Sequence, residues 1–193
     1  MSTSVRAGTL HEVDAIVGVI TLAFSTDPVA RWSLPDPRTY LDVMPSVVRA
    51  FGERAFDSAS AYCVEGFRGA ALWLAPGVEA DGERLLSLFE THAPHEILSD
   101  VMAFFELMGK HHPTEPHWYL PLIGVDPACQ AQGHGGALMR HALERCDRDH
   151  LPAYLESSNP RNISLYLRHG FEIAETIQVG SSPTLTPMYR KAR

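Results

Sequence analysis

Nowhere in the 193 residues is there a run of roughly 18 consecutive apolar residues, the length a membrane-spanning helix requires. The opening stretch MSTSVRAGTLHEVD has no basic segment followed by an apolar one, so no secretory signal is expected. Cysteine is scarce: Cys63, Cys129 and Cys146 are odd in number, far apart and outside any metal-ligand spacing. They predict reduced thiols in a cytoplasmic protein that holds no metal. Positive charge is in the minority, 16 Lys and Arg against 23 Asp and Glu, for a formal charge of -7. That balance argues against nucleic acid or an anionic membrane as a partner and suits a cationic small molecule. The 10 histidines shift it upward below neutral pH. Internal repeats and low-complexity segments are also lacking.

What is present is ordinary globular material, 45% hydrophobic with 14 glycines and 14 prolines, enough for one domain over 1–193. Residues 4–8 predict a short strand, after which Thr9 and Glu12 have the spacing of a capping box. The helix that follows keeps Val13, Ile16, Val17, Ile20, Ala23 and Phe24 on one side and stops at the turn residues Ser25-Thr26-Asp27-Pro28. A second helical pattern runs from Pro37 to Phe51, with a kink or a late start expected at Pro45. Residues 61–65 and 70–74 predict a hairpin around Gly66-Phe67-Arg68-Gly69. Helices are expected near 83–91 and 97–108. From residue 118 the pattern becomes strand 118–125, helix 135–148, strand 153–156, helix 159–169, then closing strands 171–176 and 185–190. The result is an α/β chain with a mixed sheet of six to seven strands flanked by helices.

The informative segment is Val125-Asp-Pro-Ala-Cys-Gln130-Ala-Gln-Gly133-His-Gly135-Gly136. It leaves a strand and opens a helix with three glycines at its mouth. Free N–H groups and the positive end of the helix dipole gather there, and glycine lets the backbone approach an anion. A glycine-rich helix start packed on the sheet would look the same. A P-loop is excluded because the glycines run into Ala137 and Leu138 rather than Lys-Ser/Thr. A dinucleotide turn, with Glu156 at the ribose distance, fits less well: Leu138 replaces the third glycine, and the strand ends well before Gly133. The pattern Val-x-Pro followed by Gln-x-x-Gly-x-Gly matches the acetyl-CoA loop position for position.

A second signature is Asn162-Ile-Ser-Leu-Tyr166-Leu-Arg-His-Gly170-Phe171, preceded by Asn159-Pro160 as helix cap and first residue. With both signatures in place the chain resembles the GNAT superfamily of N-acetyltransferases. Within it the resemblance is closest to the puromycin N-acetyltransferase type, through Val5-Arg6-Ala7, Asp27-Pro28, Pro113 to Leu120, Tyr154-Leu-Glu156 and Pro160-Arg-Asn162. Ala131 departs from that group, which often has glycine there, and 51–112 carries no clear likeness. The resemblance implies a GNAT fold whose splayed strand pair holds acetyl-CoA. Its pyrophosphate would sit on Gln130, Gly133, Gly135 and Gly136, and its pantetheine on the main chain of Ile123 and Val125 and on Asn162. Tyr166 would face the thioester sulfur, unless it is a core tyrosine.

The implied reaction moves acetyl from acetyl-CoA directly to a primary amine of a small molecule; no serine or cysteine lies in a nucleophile motif. A phenol titrating near 10 keeps its proton at neutral pH, so Tyr166 can protonate the leaving thiolate. The amide near Val125 is placed to stabilise the oxyanion. Glu156 is the leading candidate base, with a surface carboxylate equally open for it; Glu65 and a water chain are the other routes. Asp27 and Trp32 border the implied acceptor region. His111, His112 and His117 read as surface or packing residues. A non-catalytic acyl-CoA-binding regulatory module on the same fold is the alternative function. A homodimer is compatible with the sequence.

Overall fold

The computed structural model describes residues 3–193. Seven strands form one continuous sheet in the order β1-β2-β3-β4-β5-β7-β6. They are β1 (Val5–Ala7), β2 (Ala61–Val64), β3 (Gly69–Leu74), β4 (Trp118–Val125), β5 (Ala153–Ser157), β6 (Glu172–Ile173) and β7 (Thr186–Arg190). Only β4 and β5 run parallel; the other neighbours are antiparallel. The seven helices are α1 (Val13–Ala23), α2 (Pro28–Ser33), α3 (Pro37–Gly52), α4 (Gly82–His92), α5 (Leu98–His111), α6 (His134–Arg148) and α7 (Ile163–Arg168). Sheet and helices together are the GNAT fold.

Strand β3 is apolar at every position, GAALWL, because both of its faces are covered. On one face Leu72 and Leu74 pack with Ile16 and Ile20 of α1 and Val43, Val47 and Val48 of α3. On the other, Trp73 packs with Leu138, Met139 and Leu143 of α6. The period-2 strand pattern thus meets a period-3.6 stripe on each side.

Local signals explain the helix ends. The Glu12 carboxylate accepts the Thr9 N–H at 2.9 Å, and the first turn, Leu10–Glu12, is 3₁₀ before α1 proper begins. The turn expected at Ser25–Pro28 also starts a helix, α2. Asp27 caps it, accepting the N–H groups of Val29 and Ala30 at 3.0 and 3.1 Å, and Pro28 sits at the first position. Helix α3 neither starts late nor breaks at Pro45. Leu41, whose carbonyl loses its partner there, lies on a side 64% exposed to solvent. Gly170, at φ +86°, ends α7 with Phe171 N–H on the Tyr166 carbonyl and Gly170 N–H on that of Leu167. The strand expected at 171–176 shrinks to β6, and beyond it Ala174 N–H on the Pro187 carbonyl and a bridge between Ile177 and Leu185 hold the chain to the sheet.

The site depends on an irregularity in β4. Leu72 pairs with Leu122 but Leu74 pairs with Tyr119, so Leu120 and Pro121 together stand opposite Trp73. This is a β-bulge, placed where proline has no N–H to offer a ladder. It puts Tyr119 and Leu122 on the same face. Parallel pairing with β5 covers only Trp118, Tyr119 and Leu120; from Pro121 onward the two strands diverge. The splayed strand pair that the resemblance implies is therefore present. Gly124 has a different reason: it pairs regularly with Ala70, and a Cβ on it would lie 2.6 Å from the Ala23 Cβ of α1.

Candidate active site

Two cavities meet where β4 and β5 part. The first is a groove of about 1160 Å³ along the glycine turn and α7. Asp126 N–H donates to the Arg68 carbonyl at 2.9 Å, which fixes the phase of the β3–β4 ladder. In an antiparallel pair bonded residues alternate, so Leu122 and Gly124 face β3 while the main chains of Ile123 and Val125 face the gap. Gln130 Nε2 reaches the Val125 carbonyl from that side, at 3.4 Å. Asp126 accepts the Ala128 N–H at 2.8 Å and shapes the turn that follows.

Gly133 caps α6 at φ +84° and Ala131 sits at φ +59°, which accounts for the glycine common at the latter position in the resembled group. The first hydrogen bond into α6 is Ala137 N–H to the Gly133 carbonyl. Among the described residues, none accepts from the N–H groups of 130–136, so a row of donors faces the groove at the positive end of a 15-residue helix. A Cβ on Gly135 would make only ordinary contacts with the protein, 3.5 Å from Leu165 Cδ2. Protein packing thus does not demand glycine there, whereas room for an anion does. Gln130, Gly133, Gly135, Gly136, Ile123, Val125 and Asn162, the residues named from the resemblance, all line this groove. The donor row and the unpaired strand fit a diphosphate with a peptide-like arm.

The second cavity is a chamber of about 930 Å³, mouth included, between the diverging strands and α2, α3, α4 and α5. Its walls are apolar. Phe89 stacks on Phe105 at 4.8 Å, Phe51 and Phe104 lie beside Phe105, and Trp32 meets Phe104 at 5.7 Å. The stretch without clear likeness, 51–112, thus supplies much of the wall. Trp32 is held by its indole N–H on Ser181 Oγ, 3.1 Å.

Polar groups gather at one end of the chamber: Asp27, Glu156, Ser158, Asn162 and Tyr166. Ser158 donates to Asp27 Oδ2 at 2.6 Å, while Oδ1 is engaged by the cap bonds. Burial pushes the Asp27 carboxyl up even so. Tyr166, buried in α7, lines both cavities, as do Ile123 and Asn162. Burial, and then the nearby Asp27, raise its phenol, so it holds its proton at neutral pH. Glu156 points into the chamber from β5 with its side chain 4% exposed and Oε1 without a hydrogen bond. It is not a surface carboxylate. Its charge adds to burial in raising the phenols of Tyr119 and Tyr154. Glu65 is exposed and lines neither cavity.

The histidines divide between surface and packing positions. His111 pairs with Glu175 at 2.8 Å at the surface, but His112 and His117 form a ring pair behind Glu156. His112 packs edge-on to Tyr119 and Tyr154 at 4.6 and 4.9 Å. No spacing rule links these two residues with Glu156, so no sequence signal could have found them. Ser158 also escaped notice, since its partner Asp27 is 131 residues away.

Comparisons with known proteins bear on the fold. Residues 89–171 match the acetyltransferase (GNAT) family. An uncharacterised N-acetyltransferase of Schizosaccharomyces pombe is 28% identical over 140 residues, 63% of this chain; those residues span 54% of that relative's length. Among solved structures, a histone acetyltransferase HPA2 and related acetyltransferase from Corynebacterium glutamicum superposes with TM-score 0.71 at 24% identity, covering 100% of this chain and 98% of that one. Arylalkylamine N-acetyltransferase 2 from Aedes aegypti gives 0.66 at 11% identity, with both chains covered fully. Polyamine N-acetyltransferase of Drosophila melanogaster gives 0.61 at 14%, covering 98% and 100%. Among the described residues no helix is long and apolar enough to cross a membrane, and no group of three or more His, Cys, Asp or Glu could hold a metal. The fold is the GNAT fold, and residues 89–171, under half of the chain, match the acetyltransferase (GNAT) family.

Proposed function

We propose that this protein is an acetyl-CoA-dependent N-acetyltransferase that acetylates a primary amine carried on an apolar, ring-bearing small molecule. The observation that carries the reading is the position of Tyr166, with Ile123 and Asn162, at the junction of the donor-lined groove and the apolar chamber. A diphosphate held by the N–H groups at 131–136 directs a pantetheine arm along Ile123 and Val125, and its thioester arrives beside the Tyr166 hydroxyl. The amine enters from the chamber, its body against Phe89, Phe104 and Phe105 and its nitrogen toward Glu156. Glu156 takes a proton, the neutral amine attacks the thioester carbonyl, Tyr166 protonates the departing sulfur, and the second proton shed by the acylated nitrogen restores the Tyr166 phenol. Much of the remaining acceleration comes from holding amine and thioester in contact.

Several neighbours by fold are named for amine acetylation, two of them for arylalkylamines, and the aromatic chamber favours that class over polyamines. The likeness to the puromycin N-acetyltransferase type is a narrower reading that rests on the motifs alone. We place the activity in the cytoplasm, with neither nucleic acid nor membrane as partner. The test is acetyl-CoA incubated with phenethylamine, tryptamine, putrescine and agmatine, products read by mass spectrometry. Acetylated ring-bearing amines are expected; thiol release with none of the four, despite bound acetyl-CoA, would favour a cofactor-binding module.

A further inference from the structure

At neutral pH a primary amine arrives as an ammonium ion with three N–H bonds and leaves as an amide with one. Two protons are shed, the thiolate takes one, and one net proton must leave the chamber in each turnover. Glu156 is enclosed, so it needs an outlet. We propose that His112, held in one tautomer by His117, takes that proton from Glu156 and hands it to solvent. The inference rests on the acetyl-transfer reading above.

The tautomers follow from the partners. His117 Nδ1 lies 2.7 Å from the Glu115 carbonyl, which only accepts, so Nδ1 carries the hydrogen. Burial lowers the His117 pKa, which keeps the ring neutral and its Nε2 an acceptor. His112 Nε2 sits 3.0 Å from that nitrogen and must therefore be the donor. His112 Nδ1 is then a bare lone pair, 3.7 Å from Glu156 Oε1, which has no hydrogen bond of its own. Two acceptors facing each other mark the place of one shared proton, and a small rotation or one water closes the gap.

When Glu156 is protonated by the amine, its O–H bond breaks and an N–H bond forms at His112 Nδ1. The imidazolium charge is steadied across the Nε2–H···Nε2 bridge to His117. His112, 33% exposed, lines a third cavity, between Ala75–Glu79 and the 112–117 connection, at the opposite end of β4 from the groove. Water there takes the proton and both rings return to their starting state. Of the surrounding groups, the Tyr119 and Tyr154 hydroxyls face the Glu156 carboxylate, but their raised phenols hold their own protons; His111 is engaged by Glu175, and the Glu115 carboxylate accepts the Tyr189 hydroxyl at 2.6 Å.

The test uses the full chain with acetyl-CoA and phenethylamine. His112→Ala should lower kcat about tenfold or more, leave acetyl-CoA affinity unchanged, displace the rising limb of the kcat–pH profile and recover in part with added imidazole. His117→Ala should show the same displacement with a smaller loss. Imidazole nitrogen NMR of the amine-free protein should find Nε2–H on His112 and Nδ1–H on His117, with a His112 titration that Glu156→Gln alters. An active enzyme whose folded His112→Ala variant keeps its rate and pH limb, or loses rate without imidazole rescue, overturns the relay. A wild-type protein that acetylates no amine overturns the transfer reading instead. The NMR result then decides the shared proton by itself, and a His112 titration indifferent to Glu156→Gln overturns it.

Discussion

Tyr166 and Asp27 show how two buried oxygen acids take different tasks from their surroundings. Nothing in the protein binds the Tyr166 hydroxyl among the described residues, whereas Asp27 is bonded through both oxygens. Tyr166→Phe removes only the donor oxygen, so turnover should fall by about ten- to a thousandfold while acetyl-CoA affinity stays within a few-fold. Stopped-assay kinetics beside calorimetry separates the two quantities, and unchanged turnover removes Tyr166 from the chemistry. Asp27 bears on stability. Its carboxyl is raised by burial, so the folded chain binds that proton more tightly than the unfolded chain. The group's contribution is then most favourable below the unfolded value of about 3.9 and declines as pH rises through the higher folded value. Asparagine caps a helix as well as aspartate and does not titrate. The stability of Asp27→Asn relative to wild type should therefore improve as pH rises from acid toward neutral. Urea unfolding across that range checks it; a difference constant with pH contradicts the burial argument.

At the scale of elements, the glycine turn and α7 were legible in the sequence because their signals are local. Caps, a first-position proline and a left-handed glycine act within a few residues, and the turn 130–136 and Gly170 appear as expected. Helix α2 was not expected, although Asp27-Pro28 begins a helix as readily as it ends one. The bulge falls at Pro121, which has no ladder donor, and not at Gly124, the glycine inside the same strand, whose cause is contact with Ala23, about a hundred residues away in the chain and invisible to any spacing rule. The turn yields a sharp expectation. Gly135 has no tight protein neighbour, so Gly135→Val should leave the melting temperature nearly unchanged yet weaken acetyl-CoA binding about tenfold or more, the loss of one or two charge-assisted bonds. Calorimetry with acetyl-CoA and a thermal melt give both numbers. Intact binding would mean that the anion lies elsewhere.

Over the whole molecule, the sheet separates two recognition tasks and joins them at one point. The chamber is built mainly by α2 to α5, the groove by the β4–α6 turn and α7, and they share only Ile123, Asn162 and Tyr166. The aromatic walls come from helices far apart in sequence, which is why 51–112 told so little before the structure placed Phe51, Phe89, Phe104 and Phe105 together. Such a layout lets acceptor choice vary without disturbing the cosubstrate. Phe105 tests this, because it stacks on Phe89 in the chamber and takes no part in the groove. Phe105→Ala removes part of the apolar wall, and burial of one aromatic ring is worth about 1.5–3 kcal/mol. The KM for phenethylamine should rise about tenfold or more, that for putrescine should change little, and acetyl-CoA affinity should stay as it was. If all three move together, the two cavities are one coupled site and the division of labour drawn from the fold is wrong.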